Sequence, residues 1–325
     1  TPLYSSAASD VYKRQVSMSV TANPTQILAS GVHTATITLT ATDACGNCVE
    51  DGKVVTFTTT LGTLATASGL AEVEGSSVVK SGVWTSWTPG CGSGSMLYST
   101  TQGNYVEWTF KGTSVALGYY RWLNMGGTVD VYVDGSKVKT INTGGSGGDG
   151  CVREVVADGL PYTTHLVKVL IVSNVANNYV RLDYFDAKIT TKNCQATTIL
   201  TSVATVGTAT VTGRVDSMSD SATVQFIAGP VNTIIVSPDP ITTTCGSPVT
   251  VRARPRDQWG NDLPVGTQVT FSDNLDGSFS PNPAAVGATG RAQTSYTGHT
   301  AGTGVITATV DSVNGTATVL SLIHI

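Results

Sequence analysis

The sequence predicts an all-β protein built of β-sandwiches in series, one of them split open by another. Three observations predict it. Short stretches in which apolar residues alternate with Thr or Ser recur between turn signals every 8–12 residues. The 325-residue chain is rich in Thr, Val, Ser and Gly, is only 12% charged, and lacks the Leu, Glu, Lys and Ala runs that fill helices. One pattern also occurs twice, the first time interrupted.

The first copy reads Asp43-Ala44-Cys45-Gly46-Asn47 and reaches Val55-Thr56-Phe57; the second reads Asp257-Gln258-Trp259-Gly260-Asn261 and reaches Val269-Thr270-Phe271, an offset of 214 residues. Later the offset is 95, where Gly207, Val215, Asp216, Ser217 and Ala222-Thr223-Val224 match Gly302, Val310, Asp311, Ser312 and Ala317-Thr318-Val319. About 119 residues, a domain's worth, therefore interrupt the first copy. The predicted organisation is a first sandwich from residues 16–65 with 191–228, an insert at 66–190, and a second sandwich at 229–320.

Thr1–Gln15 and Ser321–Ile325 fit no strand of the repeat. They resemble translated adapter sequence and are expected to be non-native tails; a natural disordered tail is the other reading. A chain that opens on Thr without a signal peptide is expected to be a piece of a longer protein.

Within the first sandwich, Ala35, Ile37, Leu39 and Ala41 alternate with Thr34, Thr36, Thr38 and Thr40, the period of a strand with one buried face. Val249, Val251, Ala253 and Pro255 keep this phase in the second copy. Pro255 donates no ladder hydrogen bond, so it belongs near a strand end or edge. In Asp-x-x-Gly-Asn, Asp and Asn bond back to local backbone and Gly supplies positive φ, so the segment is a turn. These features, with the opening Val20-to-Pro24 and Val236-to-Pro240 strands, resemble bacterial Ig-like domains of the intimin/invasin type. The resemblance implies extracellular spacer or adhesive modules without an active site.

The insert differs in composition. It holds four of the five Trp (Trp84, Trp87, Trp108, Trp122) and 14 of the 22 aromatic residues. Strands are predicted at 105–110, 114–120, 128–133, 166–172 and 180–185, with a hairpin at Asp134-Gly135. The succession from Tyr105-Val106-Glu107-Trp108-Thr109-Phe110 through Val131-Tyr132-Val133-Asp134-Gly135 to Arg181-Leu182-Asp183-Tyr184-Phe185 resembles galactose-binding-like modules, the jelly-roll sandwiches that serve as carbohydrate-binding modules. The full fold prediction is thus all-β: two Ig-like β-sandwiches, the first split by an inserted jelly-roll (galactose-binding-like) β-sandwich. The second resemblance implies a structural Ca²⁺ at Glu72, Glu74 and Asp183, since hard oxygen ligands suit that ion; three solvated carboxylates are the alternative.

A sugar site needs flat apolar faces for pyranose CH groups and polar groups for the hydroxyls. Tyr120, Trp122 and Asn124, at a strand end and the loop closed by Gly126-Gly127, are the candidate glycan contacts, together with Trp87. Tyr119 and Tyr120 point to opposite faces, so at most one is core. The competing reading for each aromatic is sandwich core, and it is favoured for Trp84 and Trp108. His165 has no acidic or nucleophilic neighbour in the sequence and reads as a structural histidine.

Of six cysteines, Cys91 and Cys151 lie in Gly-rich loops and are the preferred disulfide. Cys45, Cys48 and Cys194 leave two pairings open, Cys45 with Cys48 or one of them with Cys194. Cys245 has no evident partner. The Cys45-x-x-Cys48 spacing sits in a turn without the helix N-terminus that would lower a thiol pKa, and zinc would need a second pair.

Enzyme motifs fail on context. The Gly144–Gly150 loop fits both a nucleophile-elbow and a dinucleotide pattern, which reflects composition, and no helix follows. Asp130 and Asp134 read as strand and turn residues, not a hydrolytic pair. Net charge of −4 without a Lys/Arg cluster gives no footprint for nucleic acid, and no apolar run reaches the ~20 residues of a membrane span. The sequence thus points to a non-enzymatic, extracellular or surface protein whose spacers present a module for carbohydrate or cell-surface glycan. A purely structural stalk, or the accessory region of a larger secreted polysaccharide-degrading enzyme or phage-tail adhesin, is the alternative.

Overall fold

A computed structural model of the chain describes residues 16–43, 46–88, 90–91, 95–122, 126–144, 149–173 and 179–323. Cys45, Asn124, the tail 1–15 and His324 lie outside them. Among the described residues every regular element is a strand, as the β-branched and hydroxyl-rich composition requires.

In chain order the first sandwich begins with β1 (Val16–Asn23), β2 (Gln26–Leu28), β3 (Thr34–Asp43), β4 (Val55–Thr59) and β5 (Thr63–Leu64). The insert follows with β6 (Gly69–Glu72), β7 (Val78–Ser81), β8 (Thr85–Trp87), β9 (Met96–Ser99), β10 (Tyr105–Arg121), β11 (Thr128–Val133), β12 (Ser136–Asn142), β13 (Gly150–Ser173) and β14 (Val180–Lys188). The first sandwich resumes with β15 (Gln195–Thr201), β16 (Gly207–Val215) and β17 (Met218–Ile227). The second sandwich comprises β18 (Thr233–Ser237), β19 (Ile241–Thr244), β20 (Pro248–Arg256), β21 (Gln268–Asp273), β22 (Ser278–Ser280), β23 (Ala284–Ala285), β24 (Ala292–Thr297), β25 (Gly302–Val310) and β26 (Val313–Leu322).

The two outer sandwiches share one topology. The first packs β1-β3-β15-β5 against β2-β17-β16-β4; the second packs β18-β20-β24-β22 against β19-β26-β25-β21-β23. In both, the opening strand divides between the sheets, and its second piece pairs in parallel with the last strand, β2 with β17 and β19 with β26. This is the two-sheet Ig arrangement. Alternation makes the core: Ala35, Ile37, Leu39 and Ala41 are buried while Thr34 and Thr36 are exposed. The repeated Asp216-Ser217 and Asp311-Ser312 pairs close tight β16–β17 and β25–β26 hairpins, each Asp at φ 51°. Pro255 lies one residue from the end of β20. β26 runs on to Leu322, with Ser321 buried and paired to Thr243, so the residues expected to start the C-terminal tail belong to the sheet. Parallel pairing with β19 extends the strand beyond the end of the repeat match.

The interruption falls in one loop of the Ig topology. The connection from β22 to β24 in the second sandwich corresponds to the β5-to-β15 connection in the first, and that connection carries the insert. Its two ends are tied to the host: Ala65 N–H donates to Ile199 O (2.8 Å), and Val55 N–H donates to Ile189 O (2.9 Å). Cys48 and Cys194 form a disulfide where the chain re-enters the host, which selects one of the two pairings left open by spacing.

The nine strands of the insert form one continuous hydrogen-bonded network, in which β10 and β14 each pair with three neighbours. Strand β10, 17 residues long, pairs with β13 along its whole length, whereas the sequence suggested two strands at 105–110 and 114–120. The register breaks between Gly112 and Ser114, and across that break β10 exchanges one neighbour, β7, for another, β14. Gly112 has φ 155° and stands so close to Lys188 O that a Cβ would meet it at 2.9 Å. Residues 150–165, not expected as strand, form the first part of β13. Trp108 stacks between Phe110 and Phe185 (5.5 and 5.7 Å between centroids) in a core with Leu117, Tyr119, Val131, Val169 and Leu182. The Asp134-Gly135 hairpin has φ 50° and 80°, the positive pair that a two-residue turn demands.

Candidate functional site

Strands β8, β9, β10 and β14 end at one side of the inserted sandwich, and their side chains with two loop residues line a recess of about 270 Å³: Trp87, Met96, Tyr120, Trp122, Asp149 and Arg181. Local pattern dictates who faces it. On β10 the buried Tyr119 enters the core and Tyr120 takes the opposite face, as alternation predicts. On β14 the core takes Val180 and Leu182, so Arg181 between them points away from it. Trp87, on the short outer strand β8, is 49% exposed. Trp84, three residues earlier, packs on the core and donates its Nε1–H to Ser81 O (3.0 Å).

Two devices fix the loops around the recess. Trp122 N–H donates to Thr143 O (3.2 Å), and buried Thr143 exchanges hydrogen bonds with Gly127. Gly126 and Gly144 pass so close that neither leaves room for a Cβ, which is why this loop pair is glycine. The second device is the Cys91–Cys151 disulfide, the pairing preferred from sequence. Cys151 sits directly across the ladder from Tyr120, so the bond holds Cys91 against the strand next to the recess.

Arg181 is the centre of the site. Its guanidinium lies 4.0 Å from the Trp122 ring centroid, 5.1 Å from Tyr179 and 5.7 Å from Trp87. Tyr98 closes the cluster edge-on, 5.2 Å from Tyr179 and 6.3 Å from Trp87. Burial pulls the Arg181 pKa below the usual arginine value, opposed by Tyr120, Tyr179, Tyr98 and Asp149. Stacking over aromatic faces suits a guanidinium, but it occupies one face of Trp122.

Three of the four predicted glycan contacts, Trp87, Tyr120 and Trp122, thus share this recess; Asn124 lies outside the described residues. Sequence reading missed Arg181, Met96 and Asp149. The signal for Arg181 was available: an arginine between two core positions of a strand must be covered or lie at a site.

The predicted calcium ligands are spread over neighbouring elements. Asp183 is fully buried, and its backbone carbonyl accepts from Val73 N–H (2.7 Å); Glu72 lies across the ladder from Tyr184; Glu74 accepts from Ser95 Oγ (3.0 Å). Among the described residues no three His, Cys, Asp or Glu side chains gather so as to hold a metal ion. The carbonyls of Val73, Glu74 and Gly75 are taken by the Lys80 ammonium (3.2, 3.2 and 2.9 Å). Carboxylate oxygens of all three residues, Glu72 Oε2, Glu74 Oε2 and Asp183 Oδ1 and Oδ2, are nevertheless buried, and hard oxygen atoms of this kind suit a calcium ion.

Other polar groups have structural work. His165 does have an acidic neighbour in space: its Nδ1 lies 2.7 Å from Asp134 Oδ2 and its Nε2 lies 2.8 Å from Pro161 O, so both ring nitrogens are engaged in a buried position. The hairpin brings Asp134 back across 31 residues of sequence. His165, with a hydrogen bond from Leu166 N–H, holds the Asp134 carboxyl below its usual value. Asp130 is held by Lys137 (2.7 Å) and Thr140 (2.6 Å). A larger cavity, about 980 Å³, lies on the first sandwich, where Asp43, Glu50, Lys53 and Asp216 line it with Met18 and Met218 and no aromatic ring. A third recess, about 390 Å³, lies on the insert's sheet face by Tyr132, Leu166 and Lys168; there Lys168 is paired with Glu107 (3.2 Å) and lies over Tyr105.

No protein-family model and no curated protein matches this sequence. Among solved structures, the chain is similar to InvD of Yersinia pseudotuberculosis (13% identity, TM-score 0.46, 94% of this chain and 58% of that one). It is also similar to invasin, a bacterial integrin-binding protein (17% identity, TM-score 0.43, 94% and 41%). A further likeness is to a two-domain esterase active on acetylated mannans (13% identity, TM-score 0.33, 38% of each chain). The chain spans 58% and 60% of the InvD and InvE chains it matches. Alignments at these scores and identities carry no inference about activity.

Proposed function

We propose that this chain belongs to a secreted or surface-displayed adhesin-like protein, in which two Ig-like sandwiches act as spacers and the inserted sandwich binds a cell-surface glycan without catalysis. The observation that carries this reading is the recess at one side of the insert, where Trp87, Tyr120 and Trp122 surround a space of the scale of a sugar unit. Concave aromatic sites with few polar groups are what saccharide CH faces and hydroxyls require. Two disulfides support an oxidising compartment. Non-catalytic binding is supported by His165, whose ring nitrogens are both occupied, and by Asp130, which is bound by Lys137 and Thr140.

The test is a glycan-array screen of the whole chain, with Trp87→Ala and Tyr120→Ala as comparisons. Saturable binding lost in both variants is expected. Silence across the array from a folded chain would favour a ligand-free stalk. The screen is repeated in EDTA: a fall in binding or in melting temperature would support Glu72, Glu74 and Asp183 as calcium ligands, and no change in either would count against them.

A further inference from the structure

One turn is built twice in this chain, and its two copies have different surroundings. In both, the Asn backbone N–H donates to the Asp Oδ1 (2.8 Å) and the Asn Nδ2 donates to the Asp Oδ2 (3.0 Å at Asn47, 2.9 Å at Asn261). Gly46 and Gly260 take φ 82° and 86°. Local chemistry therefore closes both turns. Yet Asn47 is exposed, whereas Asn261 is only 8% exposed. The difference is a second set of partners, which belong to the first sandwich. Asn261 Oδ1 accepts from Val206 N–H (3.2 Å), and Asn261 Nδ2 also reaches Ala29 O (3.5 Å).

Val206 directly precedes β16 and Ala29 directly follows β2, so one side chain grips two segments of the first sandwich. The connection between the sandwiches, residues 228–232, is fastened too. Gly229 N–H donates to Asp257 Oδ2 (3.0 Å) and Asn232 N–H donates to Arg256 O (2.7 Å). Ala228 and Val231 pack on the core of the second sandwich, and a Cβ at Gly229 would meet the Trp259 ring at 2.8 Å. Ala228-Gly229-Pro230 reads as a hinge, but it is held along its length by the same turn that reaches the first sandwich. Domains joined through a small interface move relative to one another by default. Here a short, fastened tether keeps Asn261 at high effective concentration beside Val206 and Ala29, and a buried amide is stable only with its donors and acceptor paired. We infer that the Asp257-to-Asn261 turn is an interdomain clasp, in which Asn261 holds the two sandwiches in one orientation in solution. The insert, tied at both ends to the first sandwich, is then presented in a fixed direction from the second. Asn261 acts as a positioning residue, and the inference stands whether or not the recess binds a glycan.

Residual dipolar couplings of backbone amides, measured on the whole chain in a weakly aligning medium, test this. One alignment tensor is expected to describe both sandwiches in the unaltered chain. Asn47→Ala removes the local side-chain bond alone and is expected to keep the single tensor. In Asn261→Ala the second sandwich is expected to align with about half the magnitude of the first or less, as motion at the joint averages its couplings. Independent alignment of the two sandwiches in the unaltered chain would overturn the inference, as would a single tensor that persists in Asn261→Ala. Hydrogen exchange at Val206 gives a measure that needs no variant. Its N–H is expected to be protected because Asn261 Oδ1 holds it, and exchange at the rate of an unstructured loop would also overturn the clasp.

Discussion

Trp108 and Trp87 are the same residue type in the same sandwich, and their surroundings give them opposite consequences when removed. Trp108 lies buried between Phe110 and Phe185, so Trp108→Ala is expected to lower stability by about 3–5 kcal/mol in a urea melt, through lost burial and the cavity left behind. Trp87 is half exposed, and Trp87→Ala is expected to change stability by no more than about 0.5 kcal/mol while removing glycan binding. Asp257 contributes to the pH dependence of the second sandwich. Burial alone would raise its pKa. Four hydrogen bonds outweigh it, from Asn261 N–H and Nδ2, Trp259 N–H and Gly229 N–H (2.8–3.0 Å), and hold the carboxyl below its usual value. Because the folded value is the depressed one, the stabilisation is present above the unfolded carboxyl pKa of about 3.9 and is lost as pH falls through it toward the folded value. Asp257→Asn is therefore expected to cost about 1–3 kcal/mol at pH 7, and less near pH 3, in denaturant melts at the two values. At this scale the sequence was legible where period alone decides, as with Tyr119 inward and Tyr120 outward. For Arg181 the period showed only that it stands between two core positions, and its aromatic setting was hidden because Trp122 and Tyr179 reach it from other segments; for His165 the acidic partner comes from the facing hairpin.

Individual elements show where local signals suffice. Asp43-to-Asn47 and Asp257-to-Asn261 close as turns because Asp accepts from the Asn amide four residues on and Gly takes positive φ, all of it local. Strands β10 and β13 were harder to read, since Gly112 looks like a strand end although β10 runs on through it. Likewise residues 150–165 follow a Gly-rich loop and lack clean alternation, because pairing with β10 holds them in the sheet. The Cys91–Cys151 bond spans 60 residues and ties Cys91 to the strand opposite Tyr120. Cys91→Ser/Cys151→Ser is expected to cost about 2–4 kcal/mol in thermal melts and to weaken glycan binding, because the strand opposite Tyr120 loses its cross-link. Unchanged binding in the double variant would show that the recess does not depend on the bond.

Over the whole molecule, two copies of one sandwich differ by what their equivalent loop carries. The second copy spans β22 to β24 with a short connection, and the first copy places the entire insert there while Ala65, Ile189 and Cys48–Cys194 tie its ends to the host. The repeat offset points to an interrupted first copy, because matched residues resume in register on the far side of the interruption. Replacing residues 66–190 with the short connection of residues 281–291 is expected to leave a host sandwich that unfolds cooperatively in calorimetry and to abolish glycan binding. The central claim is that ligand enters the recess on the insert. The five tryptophans allow a direct test by indole Nε1–H chemical shifts on titration with the best ligand of the array. Shifts at Trp87 and Trp122, with Trp108 and Trp259 unmoved, are predicted. Shifts confined to Trp84, Trp108 or Trp259 would contradict the site.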